Sequence, residues 1–340
     1  MRPRQLIRRV AVCIGLLVSP LARAQTQIEP LVVNPGARSL ALGGAFVAVA
    51  DDATAAYANP SGLVQLLRPE ISVELRTWSD DGEAVTSDLS GIGFASFVLP
   101  LQRWSLAIYG QTLASVEAAG SSSGEDSGFI PISTLTIASF GMSAALRVND
   151  ALSLGLGAAA FAGRSTAIGV DFSPVPTFYS TDDTSTEAGV IVGALWNLTE
   201  AWAVAGSYRS GADFRFSRGR QATVPDILAA GARWRSAGGH ATVAFEVERL
   251  SGIDDRTRFH LGGEWAFLSV RPLIGLRAGV WHDPTGGDGS VDIETGSWAN
   301  GGVMHVSAGI GAAFRQFQID VGVDSSEQTT IASVSAIFTF

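Results

Sequence analysis

Histidines are the first residues to consider for metal or hydrolytic chemistry. The chain has four, His240, His260, His282 and His305, and none of them forms a close-spaced ligand motif such as H-E-x-x-H. No G-x-S-x-G nucleophile elbow accompanies them. His260 could meet a serine across neighbouring strands, which leaves a hydrolase as the lesser alternative to a polar lining residue. The sequence therefore predicts a protein that is not an enzyme and has no catalytic residue, no metal site and no cofactor.

Charged residues of both signs share one face of successive alternating segments. They are Glu74, Arg76, Arg209, Arg233, Arg235, Glu246, Glu248, Arg258, Glu264, Arg277 and Asp320. On adjacent strands such charges predict ion-pair ladders on an inner face. The alternative is that some arginines bind the anionic head of a ligand, because a planar guanidinium matches a carboxylate.

Aromatic residues in the segment 164–187 suggest a second kind of site. Phe172, Phe178 and Tyr179 fall in what the sequence predicts to be the longest loop. An exposed apolar patch there could capture a hydrophobic ligand, or the loop could fold over its own aromatics. The acidic segment between Asp283 and Glu294 does not have the spacing of a calcium-binding EF-hand loop.

From Glu70 onward the chain consists of about fourteen alternating segments of roughly ten residues, the length of a tilted membrane strand. They lie at 70–78, 91–99, 104–115, 132–148, 151–163, 188–198, 201–211, 223–235, 240–250, 256–267, 271–282, 303–314, 316–324 and 329–340. Short and long connections alternate, as in bacterial outer-membrane barrels. A soluble exported β-sandwich is the alternative, since its strands alternate similarly. We predict an all-β, antiparallel transmembrane barrel of about fourteen strands.

The N-terminal residues predict export. Arginines precede an apolar run, and Ala22-Arg23-Ala24 precedes Gln25, which is the layout of a cleavable signal at residues 1–24. Cys13, the only cysteine, lies in that signal, so we expect no disulfide in the mature chain. The remaining 18 basic and 32 acidic residues argue against nucleic acid as a partner.

Between the signal and the first strand lies a compact, glycine-rich segment, which we predict to be a plug over residues 25–68, inside a barrel over 69–340. Its motif residues are Gly43, Gly44, Asp51, Asp52, Asn59, Pro60 and Ser61. Glycines allow close packing and backbone freedom, and Asn-Pro favours a turn. At the other end, Phe338 and Phe340 close an alternating strand and resemble the signal that barrel-assembly machinery recognises.

With these features the chain resembles the FadL/TodX family of outer-membrane transporters. The resemblance rests on the segment 36–63 with Asn59-Pro60, and on Leu276-Arg277-Ala278-Gly279-Val280. It implies a fourteen-stranded barrel that is blocked by an N-terminal plug with an Asn-Pro-Ala motif, here Asn59-Pro60-Ser61. The implied function is passive uptake of long-chain fatty acids or other hydrophobic small molecules, with lateral release through the wall.

The same plug residues are also similar to the PorV/PorQ branch, which implies a scaffold or shuttle in protein secretion instead. In either case the expected location is the outer membrane of a Gram-negative-type bacterium. The expected partners are membrane lipid, a hydrophobic ligand and the barrel-assembly machinery, and we expect a monomer. Removing residues 36–63 should raise the passive permeability of the barrel.

Overall fold

The computed structural model describes residues 27–28, 32–80, 85–86, 91–119, 132–171, 175, 177–217, 220–252, 255–284, 302–327 and 329–340. The helices are α1 (Ala37–Ala41), α2 (Ala55–Ala58) and a 3₁₀ helix (Pro60–Gln65). The strands are β1 (Gln27–Ile28), β2 (Glu70–Asp80), β3 (Val85–Thr86), β4 (Gly91–Pro100), β5 (Trp104–Ala119), β6 (Ile132–Arg147), β7 (Leu152–Asp171), β8 (Thr177–Asn197), β9 (Trp202–Arg209), β10 (Ala212–Arg215), β11 (Gln221–Val224), β12 (Asp226–Arg235), β13 (Ala241–Ser251), β14 (Arg256–Phe267), β15 (Leu273–Asp283), β16 (Val303–Ala313), β17 (Phe317–Ser325) and β18 (Thr329–Thr339).

Fourteen of these strands form a closed antiparallel barrel, which confirms the predicted fold class. Each barrel strand pairs with the next one along the chain, and β18 closes the ring on β2. Because the strands are antiparallel and the ring is closed, every barrel strand has two neighbours, as a barrel in lipid requires. Among the described residues, no helix is long and apolar enough to cross a membrane.

Alternation along the strands separates two chemically different faces. On β14, Phe259, Leu261 and Trp265 are exposed on the outer face, while Arg258 and His260 are buried on the inner face. The short turns lie at one rim, where exposed aromatic side chains form a belt that consists of Trp104, Trp196, Trp202, Trp265, Phe314, Phe317, Phe338 and Phe340. Such a belt is typical of the interface between lipid and water in membrane barrels.

Two sequence-based expectations for the long-connection rim were wrong. Residues 164–171 and 177–187 are not in a loop, because β7 extends to Asp171 and β8 begins at Thr177. The segment 223–235 is not one strand. Its first residues belong to β11, which pairs with β10 and, in parallel, with β1 in a separate three-stranded sheet. The residues that extend β8 are mostly polar, so hydrophobicity did not indicate a strand there. Hydrophobicity also did not indicate that the chain turns inward before Asp226.

The plug, which we define as residues 32–66, fills the lumen and is largely buried. Gly36 precedes α1 at a φ of 95°, and Gly43 and Gly44 follow it at φ values of 64° and 79°. Glycine adopts these left-handed conformations without strain, which lets the chain reverse twice within the barrel. Phe46, Leu63 and the alanines of α2 form the apolar core together with the wall.

Candidate functional site: the plugged lumen

Arg38 in α1 is the charged centre of the plug, although the sequence analysis did not select it. Its guanidinium forms an ion pair with Asp51 and donates from Nε to the Glu264 carboxylate on the wall over 3.0 Å. Asp51 also accepts from Arg235 on β12 at 3.2 Å. Arg38 thus links α1 to Asp51 within the plug and to Glu264 on β14. Asp51 forms a second link between plug and wall through Arg235.

The two adjacent acids of the plug differ in environment. Burial opposes ionisation of Asp51, but the attraction of Arg38 outweighs it and holds the pKa of Asp51 below its ordinary value. Burial raises the pKa of Asp52, and Arg38 offsets this only in part. Asp52 instead accepts from the backbone N–H of Thr54 over 2.9 Å, which shapes the turn into α2.

Acid should therefore weaken the link through Asp51. A carboxyl whose pKa is lowered in the folded state stabilises that state above its unfolded pKa, about 3.9 for aspartate, and loses this contribution as the pH falls through the lower, folded value. Arg235 of the wall adds to the attraction of Arg38 that lowers the pKa of Asp51. Protonation of Asp51 therefore weakens a contact between plug and wall, and we expect plug docking to weaken below about pH 4. Conductance of the wild type in planar bilayers should rise there, whereas Asp51→Asn should already be raised at neutral pH and respond less to acid. An identical acid response in the two proteins would contradict the assignment.

Glu246 and His260 hold the reversal of the chain after α1. One carboxylate oxygen of Glu246, on β13, accepts from the backbone N–H groups of Phe46 and Val47 at 2.6 and 2.7 Å. Nδ1 of His260 lies 2.7 Å from the Gly43 carbonyl oxygen. Both wall residues are buried, so they satisfy plug groups that water does not reach.

Asn59, Pro60 and Ser61 anchor the other end of the plug. The Asn59 side chain donates to the Val47 carbonyl over 2.8 Å, and its oxygen accepts from the N–H and hydroxyl of Ser61. Asn59 is thereby the N-cap of the 3₁₀ helix, with Pro60 at its first position. The motif therefore organises the plug internally and packs on the wall at Gly193, where a Cβ would clash with the Asn59 amide oxygen.

A pair of wall glycines forms a slot for the plug backbone. Gly262 and Gly279 lie opposite each other on β14 and β15. A Cβ on Gly262 would overlap the Leu42 carbonyl, and one on Gly279 would overlap the Gly43 nitrogen. The backbone of the plug therefore lies directly against the backbone of the wall at this point. The alternation of polar and apolar residues in the sequence did not indicate this contact.

The predicted inner charges line one side of the lumen, mostly as ion pairs with neighbours. Arg76 contacts Glu74 at 2.8 Å, Arg209 contacts Glu248 at 3.2 Å, Arg258 contacts Asp283 at 2.6 Å, and Arg277 contacts Glu264 at 2.6 Å and Asp320 at 2.5 Å. Arg233 instead lies 3.5 Å from the Gln65 side chain.

Several of these arginines also bind plug atoms, with Arg76 donating to the Asn34 carbonyl and Arg209 to the Asn34 side chain. These residues therefore connect neighbouring wall strands to each other and hold the plug against the wall.

A stacked aromatic row on β14 to β16 was not selected from the sequence. The Trp281 ring lies between His260 and His305, with centroid distances of 5.5 and 3.7 Å. Asp324 on β17 accepts from the Trp281 indole at 2.8 Å and lies 2.7 Å from Nδ1 of His305. Among the described residues, no group of three or more histidines, cysteines or acids could hold a metal ion.

The opposite side of the lumen is apolar. Phe94, Tyr109, Phe161 and Ile191, on β4, β5, β7 and β8, are buried and pack in one cluster with Tyr57 of the plug. The Tyr57 and Tyr109 rings meet edge to face at 5.9 Å. The lumen is therefore two-sided, with a polar half on β12 to β18 and β2 and an apolar half on β4 to β8. Arg209 on β9 lies at their boundary, with its guanidinium 4.7 Å from the centroid of the Tyr57 ring.

Little free space remains beside the plug. A cavity of about 20 Å³ lies next to His260, and one of about 10 Å³ lies next to Tyr57. Such volumes hold at most about one water molecule. A larger cavity of about 330 Å³, lined by both charged and apolar side chains, lies at the short-turn rim between Arg38, Glu70 and Phe317.

The remaining predicted residues lie at the two rims. Phe178 and Tyr179 are in β8 near the top of the long hairpin, where Phe178 is 75% exposed, and Phe172 lies outside the described residues. Phe338 and Phe340 pack edge to face at 4.9 Å on the aromatic belt.

A fourteen-stranded antiparallel barrel whose lumen holds an N-terminal plug is the class that fold and site define. Solved structures of this class resemble the chain along nearly its whole length. A FadL homologue of Pseudomonas aeruginosa is 12% identical, with 92% of this chain and 99% of that chain covered and a TM-score of 0.69. The toluene transporter TbuX of Ralstonia pickettii is 13% identical, with 91% and 99% covered and a TM-score of 0.70. The toluene transporter TodX of Pseudomonas putida is 14% identical, with 92% and 98% covered and a TM-score of 0.64.

The chain therefore has the FadL/TodX-type fold, and the resemblance predicted from the sequence is confirmed at this level. No family model and no curated protein sequence matches it. The similarity to the PorV/PorQ branch stays a prediction.

Proposed function

We propose that this protein is an outer-membrane channel for the passive uptake of hydrophobic small molecules. Its fold is shared with the toluene transporters TbuX and TodX. Long-chain fatty acids, monoaromatic compounds and similar apolar molecules are the substrate class. No catalytic step is needed, because transport follows the concentration gradient.

The apolar half of the lumen is the observation that carries this proposal. Tyr57 on the plug and Tyr109 and Phe161 on the wall are buried in one aromatic cluster. A hydrophobic molecule gains free energy by leaving water for such a surface, at roughly 25 cal/mol per Å² of apolar area. The charged half, whose members are paired with each other or with the plug, offers it no such gain.

Location in a membrane is supported by the outer face. Exposed apolar side chains cover the barrel, and the aromatic belt follows the short-turn rim. Burial of that face in lipid removes the exposed hydrophobic surface that water would penalise. We propose the outer membrane of a Gram-negative-type bacterium, a monomer, and assembly by machinery that recognises Phe338 and Phe340.

Transport requires the plug to move, because the cavities beside it hold no more than a water. Passage would run along the apolar half while the polar half keeps the plug attached. Lateral release through the wall into lipid is the proposed last step, and Phe178 and Tyr179 on the long hairpin are the proposed first contact. The same filled lumen is the observation that favours the second candidate, a secretion scaffold.

Two adjacent alanines of β7 allow a matched test. Ala159 faces the apolar half and Ala160 faces outward. We expect cells that produce the wild type to take up toluene faster than cells without it, and a sugar of similar size no faster. Ala159→Phe, which fills the path, should reduce toluene uptake by about tenfold, and Ala160→Phe should not. Equal toluene uptake by both variants would contradict a path along the apolar half. No uptake by the wild type, together with no apolar ligand in the mass spectrum of the purified protein, would favour the scaffold.

A further inference from the structure

The connection between β9 and β12 folds inward at the rim and covers part of the lumen. Phe214 on β10 is 1% exposed, and its ring lies against the inner face of the wall at Gly163. Phe216 stacks on Phe214 at 6.2 Å, and Val224 on β11 is buried in the same cluster as Tyr57 and Phe161. The hairpin of β10 and β11 therefore lies on top of the apolar half of the lumen.

Polar contacts fasten this hairpin to the long β7–β8 hairpin. Arg220 donates to the Asp183 carboxylate at 3.1 Å, to the Ser165 hydroxyl at 2.7 Å and to the Thr181 hydroxyl at 2.6 Å. Ser217 donates its hydroxyl to the same Asp183 carboxylate at 2.6 Å. At the base, the Gly211 N–H donates to Asp226 at 2.6 Å. Arg220 and Ser217 of the hairpin therefore both bind the Asp183 carboxylate of the wall.

We infer that the β10–β11 hairpin is an outer gate, and that Arg220 and Asp183 are the latch that keeps it closed over the apolar half of the lumen. The fastening of the hairpin is polar and part-exposed, so the loss of a few hydrogen bonds frees its tip, while full opening also exposes the apolar side chains of Phe214 and Val224. This inference rests on the proposed function for its purpose, but the gate itself can be measured without transport.

Accessibility of the lumen beneath the hairpin tests the gate directly. Ile191→Cys places a thiol on the buried inner wall, and the only native cysteine is Cys13 in the predicted signal. A charged, membrane-impermeant maleimide added from outside should label this cysteine slowly. Adding Arg220→Gln or Asp183→Asn should speed labelling by about tenfold, since hydrogen bonds between charged groups are the stronger ones.

The chain also offers a matched control. Arg164 and Asp182 form an exposed ion pair at 2.8 Å on the outer face of the same long hairpin. Arg164→Gln should leave the labelling rate unchanged. Equal labelling in the Arg220, Asp183 and Arg164 variants would overturn the gate.

A cross-link connects the gate to transport. With Ser217→Cys and Asp183→Cys, the oxidised protein should lose toluene uptake and regain it on reduction. Uptake that is equally fast when oxidised would overturn the inference. If the wild type takes up no toluene at all, the proposed function fails, and the labelling rates still decide whether the hairpin is a gate.

Discussion

Glu246→Leu should undock the plug and turn a closed barrel into a conducting one. Two plug N–H groups, those of Phe46 and Val47, lose their shared acceptor in a buried place. An unsatisfied buried donor costs about 1–3 kcal/mol, so the pair costs about 2–6 kcal/mol. At 1.4 kcal/mol per factor of ten, the undocked fraction should rise by about thirtyfold or more. Single-channel recording in planar bilayers measures this as added open time.

Glu246→Gln is the control for that variant. Both N–H groups bind the same carboxylate oxygen, and the glutamine carbonyl can accept both hydrogen bonds without the charge. We therefore expect less than half of the effect of leucine. The barrel should persist in both variants, with unchanged heat-modifiable mobility on gels. Equal conductance in the two would show that charge, and not hydrogen bonding to the plug, is what Glu246 supplies.

Gly279→Ala should displace the plug by steric contact. The added Cβ would overlap the Gly43 nitrogen and the Leu42 carbonyl carbon. Overpacking typically costs about 1–3 kcal/mol, and here both colliding partners are backbone and cannot turn away. We expect higher conductance and faster proteolysis of the plug in detergent.

Gly263→Ala is its matched control on β14. Gly263 pairs with Ala278 beside the slot, and a Cβ there would come no closer than 3.9 Å, to the Thr242 carbonyl oxygen. Both substitutions remove a glycine from a barrel strand, so they share any change in strand propensity. A plug that is equally stable in the two variants would mean that the slot does not hold it.

Sequence periodicity predicted the barrel well because lipid and lumen impose opposite polarities on alternate residues. Glu264 and Arg277 were placed on the inner face for that reason, and they form an ion pair there. Periodicity carries no information on what fills the lumen. Arg38, Trp281 and the slot glycines depend on contacts between the plug and distant strands, and their types alone do not indicate a partner.

The same limit applies at the outer rim. Residues beyond the lipid need not alternate between apolar and polar. Hydrophobicity therefore did not indicate that β8 begins at Thr177, ten residues before Glu187. The inward turn of β10 and β11 depends on burial of Phe214, and a phenylalanine in a polar stretch also fits an exposed loop. Strand patterns therefore predict the wall and leave the two ends of the lumen undetermined.

The order of elements along the chain places the plug far from the strands that hold its polar groups. The plug precedes β2, whereas Glu246, His260 and Gly279, which hold it, lie on β13 to β15. The wall closes only when β18 pairs with β2. The plug has apolar contacts on strands early in the chain, β4 and β5, whereas the acceptor for the N–H groups of Phe46 and Val47 lies late, on β13. A barrel that lacks β13 leaves these two N–H groups without their buried acceptor.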